Sequence, residues 1–423
     1  TQDEGERAGI NRLTQELSRG NNTALFDHTI DDLPPAFTPA QATRAVVAEQ
    51  AFAFSAGRGK KGEPHTADSP VCRCVIILAR GDTLFETLWL NLTVYNPATK
   101  DPVPSLTDGE DRPVWERDER GRPDRDPPIP TGYLDYLTWQ SRALLLQPEN
   151  ETDGDVVVRR VSYAQGRKFE RPAGFFDPMA AYRRDTQTGF PAVRLIEDKA
   201  LWRDSAALFQ FAEADQFRGP TVLETLGQLA PDVLPRAHRY RLSAFGLCTD
   251  KAKVHFWRHE TLPLSLHYLD HPIRRNALKR ALGLAEAVAS DVLRRAVWAA
   301  VSAALTGDQG QAPDRRRVSD AVKGFRVEDL YWSELERPFR LLLTDIGEAA
   351  LEGLEDTLDN GVRDWYRGTL RPAAWRAYER TVGRLDSARE LRAAARGRDV
   401  LATRLRALAV RERLLDSRTE AAT

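Results

Sequence analysis

Arg239 to Glu260 reads RYRLSAFGLCTDKAKVHFWRHE. Its two arms, Arg239–Phe245 and Lys253–Arg258, alternate polar and apolar residues, the period of a half-buried strand. Gly246 and then Thr249-Asp250-Lys251-Ala252 supply turn chemistry between them. The stretch therefore predicts a β-hairpin with Lys251 and Lys253 at or near its tip. Two uses are open to such an element. One is a solvated surface hairpin. The other is a basic wedge that meets a polyanion, with Ala252 small enough to enter a narrow groove or a base step.

The hairpin also marks a change of period. Beyond His271 the apolar residues Leu278, Ala281, Leu282, Ala285, Val288, Ala289, Val292 and Leu293 recur at three and four, an amphipathic helix running to about Leu305. Gly307–Pro313 breaks it. Helical patterns resume over Leu330–Leu343, Ile346–Tyr366, Ala373–Leu385 and Val400–Leu415. The expected fold class is α+β: a mixed α/β region over 1–270 that carries the hairpin, then a four-helix bundle over 271–423.

Upstream of the hairpin, Arg19-Gly20-Asn21-Asn22 is a turn signal. Thr38, Pro39 and Gln41 supply N-cap, N1 and N3 of a helix through Phe52. Gly57, Gly59 and Gly62 then fit G-x-G-x-x-G. The dinucleotide reading needs a strand before and a helix after; here a helix precedes and Glu63-Pro64 follows, so it is rejected. What remains is a glycine loop carrying Arg58, Lys60 and Lys61, either a mobile surface loop or one whose bare amides approach phosphate or a base edge. A strand is expected over Cys72–Leu78 and a helix over Thr83–Leu90. Asp101–Pro130, rich in proline, glycine and charge, is expected to be a long flexible loop, its flexible part 101–129. Strands follow at Ala143–Leu146 and Val156–Tyr163, a turn at Gly166–Phe169, and a short strand-loop unit at Asp177–Arg184 with the paired arginines Arg183 and Arg184. Thr221–Leu229 reads as helix.

At 423 residues, two or three domains are expected. No run of about 18 apolar residues could span a bilayer. Cys72, Cys74 and Cys248 make no disulfide framework, which points to a reducing, cytoplasmic compartment. Cys72-Arg73-Cys74 has the wrong spacing for a zinc knuckle and reads as packing. The net charge is −1, yet residues 271–423 hold 28 Lys and Arg against 23 Asp and Glu. Contact with nucleic acid would thus run through local patches, with partners supplying further charge. A hydrolase or nuclease is the rival class. His255 and His259 share a strand face, and His267 and His271 lie four apart, but there is no H-E-x-x-H and no G-x-S-x-G. A pure scaffold is the third reading.

Pro130–Arg142 with Leu145–Pro148 (PTGYLDYLTWQSR and LLQP) resembles the signature region of the CasA family, the large subunit of type I-E CRISPR Cascade. Arg80–Leu88 (RGDTLFETL) resembles the segment after that family's glycine loop, and Trp332–Glu336 (WSELE) one of its C-terminal bundle. The order of glycine loop, signature, hairpin and bundle also agrees.

The resemblance implies a non-catalytic subunit of an RNA-guided antiviral complex. Such a subunit recognises the short motif beside the target from the minor groove of double-stranded DNA, wedges the strands apart to begin R-loop formation, and helps recruit a helicase-nuclease. It implies contacts with the guide RNA 5′ end and with backbone and small subunits. It assigns the wedge to Lys251, Ala252 and Lys253, with Lys251 where the family's best-studied wedge has glutamine. It assigns the glycine loop to Gly57, Arg58, Gly59 and Lys60, and a cationic finger to Arg184, with Arg183 the neighbouring choice. A motif-proximal loop falls at Arg19, Asn21 and Asn22. Where some members bind zinc, Glu151–Val161 stands instead, so no metal and no cofactor are implied. Family members carry a further upstream segment, so the chain, which starts at Thr1, is expected to be a piece of a longer one. The physics is consistent: minor-groove readout is degenerate and hence permissive, and cations gain from the groove potential.

Overall fold

A computed structural model describes residues 6–18, 27–29, 33–55, 66–93, 111–117, 129–171, 175–185, 189–209, 217–234, 240–250, 253–306, 311–383 and 387–414. The chain divides into two compact units. The first comprises Thr1–Ala200, Phe211–Thr225 and Leu242–Thr261; the second comprises Leu201–Gln210, Leu226–Arg241 and Leu262–Thr423.

The first unit opens with β1 (Glu6–Gly9), too short to show alternation in the sequence. It pairs antiparallel with β4 (Val156–Gln165), which pairs on its other edge with β3 (Arg142–Asn150). β3 extends beyond the predicted Ala143–Leu146 and shifts register at Gln147/Pro148, where proline cannot donate to the ladder. α1 (Pro39–Phe52) starts at the expected place: Thr38 and Gln41 form a complete capping box. It packs Ala42 and Ala45 on Val158, Val161 and Tyr163.

The second sheet orders β2 (Ile76–Arg80), β7 (Tyr240–Asp250) and β8 (Lys253–Leu264). The hairpin is thus present, and longer than the alternation suggested. Gly246 is not in the turn. It lies within β7, where a Cβ would come 2.8 Å from the Cys74 carbonyl oxygen, so glycine permits the turn before β2 to approach β7 closely. Cys72 precedes β2 in a turn instead of lying in the strand, and Cys72, Cys74 and Cys248 are buried and free. α2 (Leu84–Leu90), capped by Thr83, and α3 (Tyr133–Leu137) are short. β5 (Tyr182–Arg183) pairs with β6 (Phe217–Arg218). Most of the 101–129 segment lies outside the described residues; within its described part, Asp111 caps α3 by accepting from the N–H groups of Leu134 and Asp135 at 2.7 and 3.0 Å.

The second unit contains α4 (Ser205–Leu208) and α6 (His267–Asp270); α5 (Thr221–Val233) belongs to the first unit up to Thr225 and to the second from Leu226. Among its described residues are four long rods. The first joins α7 (Pro272–Ala287), a π-helical segment at Val288–Leu293 and α8 (Arg294–Leu305). The second is α10 (Val327–Glu348). The third joins α11 (Leu354–Asp364), a second π segment at Trp365–Leu370 and α12 (Arg371–Val382). The fourth is α13 (Ala388–Arg411). A shorter α9 (Arg315–Gly324), which the periodicity did not reveal, follows α8. The helix read across Ile346–Tyr366 is interrupted. α10 ends at Glu348, and Gly353, at φ +63°, resets the chain for α11. Trp202 stacks on Phe339 at 4.5 Å and meets Trp332 edge-on. Arg203 lies 3.8 Å above the Trp332 ring while pairing with Glu286. Among the described residues no helix is long and apolar enough to cross a membrane.

Candidate nucleic-acid interface

The signature segment explains itself as a cradle. Arg142, 1% exposed, donates from Nε to the Tyr163 hydroxyl at 2.7 Å and from a terminal nitrogen to the Phe54 carbonyl at 3.0 Å. Tyr163 in turn donates to the buried Glu49 carboxylate at 2.7 Å. Burial, then the Glu49 charge, pushes the Tyr163 phenol up to about 12, so it stays a donor across the physiological range. The backbone N–H of Arg142 donates to the Gln50 side-chain carbonyl, and the Gln50 amide returns a bond to the Arg142 carbonyl, both at 2.8 Å. The Ser141 hydroxyl donates to the Gln50 carbonyl at 2.7 Å. Signature residues 141 and 142 therefore clasp the last turn of α1 and Phe54 just beyond it. Gly166 makes the clasp possible: a Cβ there would lie 2.2 Å from the Gln140 carbonyl oxygen.

Upstream in the same signature, Asp135 is fully buried between Arg167 and Arg117, at 2.8 and 2.7 Å. Burial pushes its carboxyl up, but the Arg167 hydrogen bond, the Thr131 N–H and the two guanidinium charges outweigh this and hold it below the ordinary value. Arg167 also covers the Trp139 ring at 3.7 Å. Nearby, the Tyr136 hydroxyl donates to the buried Asp177 carboxylate at 2.6 Å, and burial raises that carboxyl.

The clasp bears on the glycine loop. Gly57, Arg58, Gly59 and Lys60 lie outside the described residues, but the stems of their loop do not. Ser55 N–H donates to Asp68 at 2.7 Å and Ser69 N–H to the Ala53 carbonyl at 2.8 Å, closing the loop's base. Phe54, Cys72 and Leu247 of β7 form one buried cluster, with Phe52, Val254 and Trp257 packed against it. Phe52 meets Trp257 edge-on at 4.9 Å. Phe52 also packs against a second cluster that contains Tyr182 of β5 and touches Phe245 of β7. One side chain is thus common to the stem of the glycine loop, the hairpin and the strand that carries Arg183.

Of the remaining predicted residues, Arg183 and Arg184 are both exposed at the end of β5, and Arg183 lies 5.2 Å over the Phe217 ring. Lys251 and Ala252 lie outside the described residues; Lys253 is placed as backbone at the start of β8. Arg19, Asn21 and Asn22 also lie outside. Their loop is approached from a defined base, since Asp27 accepts from Ser18 N–H at 2.5 Å and from Thr29 N–H and hydroxyl at 3.0 and 2.8 Å. Those bonds hold the Asp27 carboxyl down at about 2. His255 sits on Glu197 at 3.1 Å, and Arg258 of the same strand donates to the carbonyls of Ile196, Glu197 and Lys199. Sequence reasoning missed Gln50, Phe52 and the anchoring role of Arg142. A cation at the head of an otherwise apolar strand was the available signal for the last.

A clasped glycine-loop stem and a β-hairpin in one unit, with a second, helical unit, define a two-unit α+β protein. A family model for CRISPR-associated protein Cse1 matches residues 1–377, and the chain belongs to that family. It is 31% identical over 404 residues to the CRISPR-associated protein CasA/Cse1 of Thermus thermophilus, covering 91% of this chain and 72% of the relative. The crystal structure of T. thermophilus CasA matches with a TM-score of 0.71 at 27% identity, over 96% of this chain and 76% of that one. A chain in a CRISPR RNA-guided surveillance complex shares the fold, with a TM-score of 0.67 at 21% identity over 94% of this chain and 76% of that one.

Proposed function

We propose that this chain is the non-catalytic large subunit of an RNA-guided surveillance complex. In this reading it recognises the motif beside the target in double-stranded DNA from the minor-groove side. The hairpin tip, Lys251-Ala252-Lys253, wedges the duplex. Gly57 and Gly59 approach the groove floor with bare amides, and Arg184 supplies the cationic finger, with Arg183 beside it. Unstacking a base step costs a few kcal/mol, offset by protein contacts and by guide pairing. Guide RNA, backbone and small subunits and a helicase-nuclease are the partners of this reading, and the cytoplasm its compartment. One observation carries it: Phe52 packs at once with the stem of the glycine loop, the hairpin's Trp257 and the cluster beneath β5. Three elements separated in sequence are thereby tied to one small core.

The test is capture of motif-bearing duplex by the assembled complex. Lys251→Ala with Lys253→Ala, and Arg184→Ala separately, should each weaken capture roughly tenfold or more, the scale of losing a phosphate or groove contact. Unchanged capture with folding intact would assign the hairpin and finger to scaffolding.

A further inference from the structure

Within the helical unit, α10 and α11 border a groove of about 380 Å3. Its floor is apolar, built from Leu342, Ile346, Leu358 and Trp365, and Leu341 stands at its edge 60% exposed. Gly361 opens it: a Cβ there would meet nothing within 4 Å. Its charged lining is of one sign. Asp345 on α10 and Asp364 at the end of α11 are exposed, neither has a salt-bridge partner among the described residues, and no lysine or arginine lines the groove. The acidic character continues past the break between the helices, where exposed Glu352, Glu355 and Asp356 surround Leu351, itself 61% exposed.

We infer that this groove docks a basic amphipathic helix of a partner protein, an inference that goes beyond the DNA-recognition reading and does not depend on it. Charge complementarity chooses the occupant. Carboxylates on both rims repel phosphate, which disfavours nucleic acid and anionic lipid surfaces alike. They attract lysine or arginine placed beside apolar anchors. The lining positions on α10 (341, 342, 345 and 346) and on α11 (357, 358, 361 and 364) each describe one helix face. A trough between two such faces is the geometry in which a third helix lays its apolar stripe.

The experiment uses the 423-residue chain and two synthetic peptides of about five helical turns, labelled for fluorescence anisotropy. Both carry leucines at one amphipathic spacing; one fills the other positions with lysine, its counterpart with glutamate. The leucine-lysine peptide should bind in a salt-dependent manner and the leucine-glutamate peptide should not. Gly361→Met, which projects a side chain into open space, should weaken binding by about tenfold or more. Asp345→Asn with Asp364→Asn should weaken it without filling the groove. Unaltered circular dichroism and thermal midpoint would assign both losses to the groove. The inference is overturned if Gly361→Met binds as well as wild type, if the two peptides bind alike, or if short duplex DNA displaces the peptide. It is also overturned if wild type self-associates and Gly361→Met does not, which makes a second copy the occupant. Stronger peptide binding after truncation at Leu414 would give the groove to the chain's own tail and overturn it too.

Discussion

Among the described residues each unit buries one arginine to 1% exposure, and the two are used differently. Arg142, in the mixed unit, ties its neighbour Ser141 to two segments distant in sequence, Phe54 beyond α1 and Tyr163 on β4. Arg274, in the helical unit, donates to Ile346 at 2.5 Å, to Gly347 at 3.2 Å and to Ala349 at 2.6 Å. It seats a cation on the carbonyls that α10 leaves unsatisfied at its C-terminus, where the helix dipole favours it. A buried charge is worth its desolvation only when hydrogen bonds saturate it. In the helical unit the bonds from the two terminal nitrogens, which leave the guanidinium Nε without an acceptor, end a rod whose course apolar packing already fixes. In the mixed unit the bonds from Arg142 fix irregular backbone that no regular element would hold, and that backbone leads into the glycine loop.

Breaking the first arginine should have the largest effect. Arg142→Ala leaves the Phe54 carbonyl and the Tyr163–Glu49 pair without their cation, a loss of about 3–5 kcal/mol by the scale of broken buried charge pairs. Chemical denaturation measures it. Arg142→Lys, which keeps charge but not the fork, should recover part of the stability yet leave duplex capture impaired, because one ammonium reproduces only part of the fork's bonding. Arg274→Ala should cost less, about 2–3 kcal/mol, as carbonyls at a helix end can turn to water. Its duplex capture should match wild type below the unfolding transition. Capture lost equally in both variants would erase the distinction between the two arginines.

The smallest expected effect sharpens the comparison within the mixed unit. Asp27 ionises at about 2 instead of its ordinary 3.8 because Ser18 and Thr29 donate to it. The stability it contributes is therefore fully present above about pH 4 and lost as pH falls through about 2. Thermal midpoints of wild type and Asp27→Asn should differ at pH 5 and converge by pH 2. A constant gap would show that the carboxylate's charge plays no part in holding the loop base.

How much of this was legible in the sequence depended on range. The α1 capping box and α2 are written in local patterns and were read to within a residue or two, and the hairpin arms and the helical character of the bundle were read in kind, while the arms run longer and α13 starts at Ala388, twelve residues ahead of its expected Val400. What escaped was set by distant neighbours. Gly246 looked like a turn residue because its reason, the Cys74 carbonyl, lies far off in the chain, in the turn before β2. β1 has four residues and no period, and it exists because β4 offers an edge. The break at 349–353 was hidden because the apolar residues on either side, Ile346 and Leu354, keep a helical spacing across it. The candidate site fared similarly. Its glycine, lysine and arginine candidates were visible as residue types, whereas the clasp that anchors the glycine-loop stem, Gln50 with Ser141 and Arg142, is a set of contacts some ninety residues apart in the chain.

Site-specific photo-cross-linking tests the convergence most directly. A photoreactive side chain would be placed in turn at positions 58, 184 and 251 of the chain in its complex, with motif-bearing duplex added. The account predicts that all three label the same few base pairs beside the target, and that Arg142→Lys abolishes labelling from 58 while sparing 251. Labels scattered along the duplex, or labelling from 58 that ignores Arg142→Lys, would contradict it.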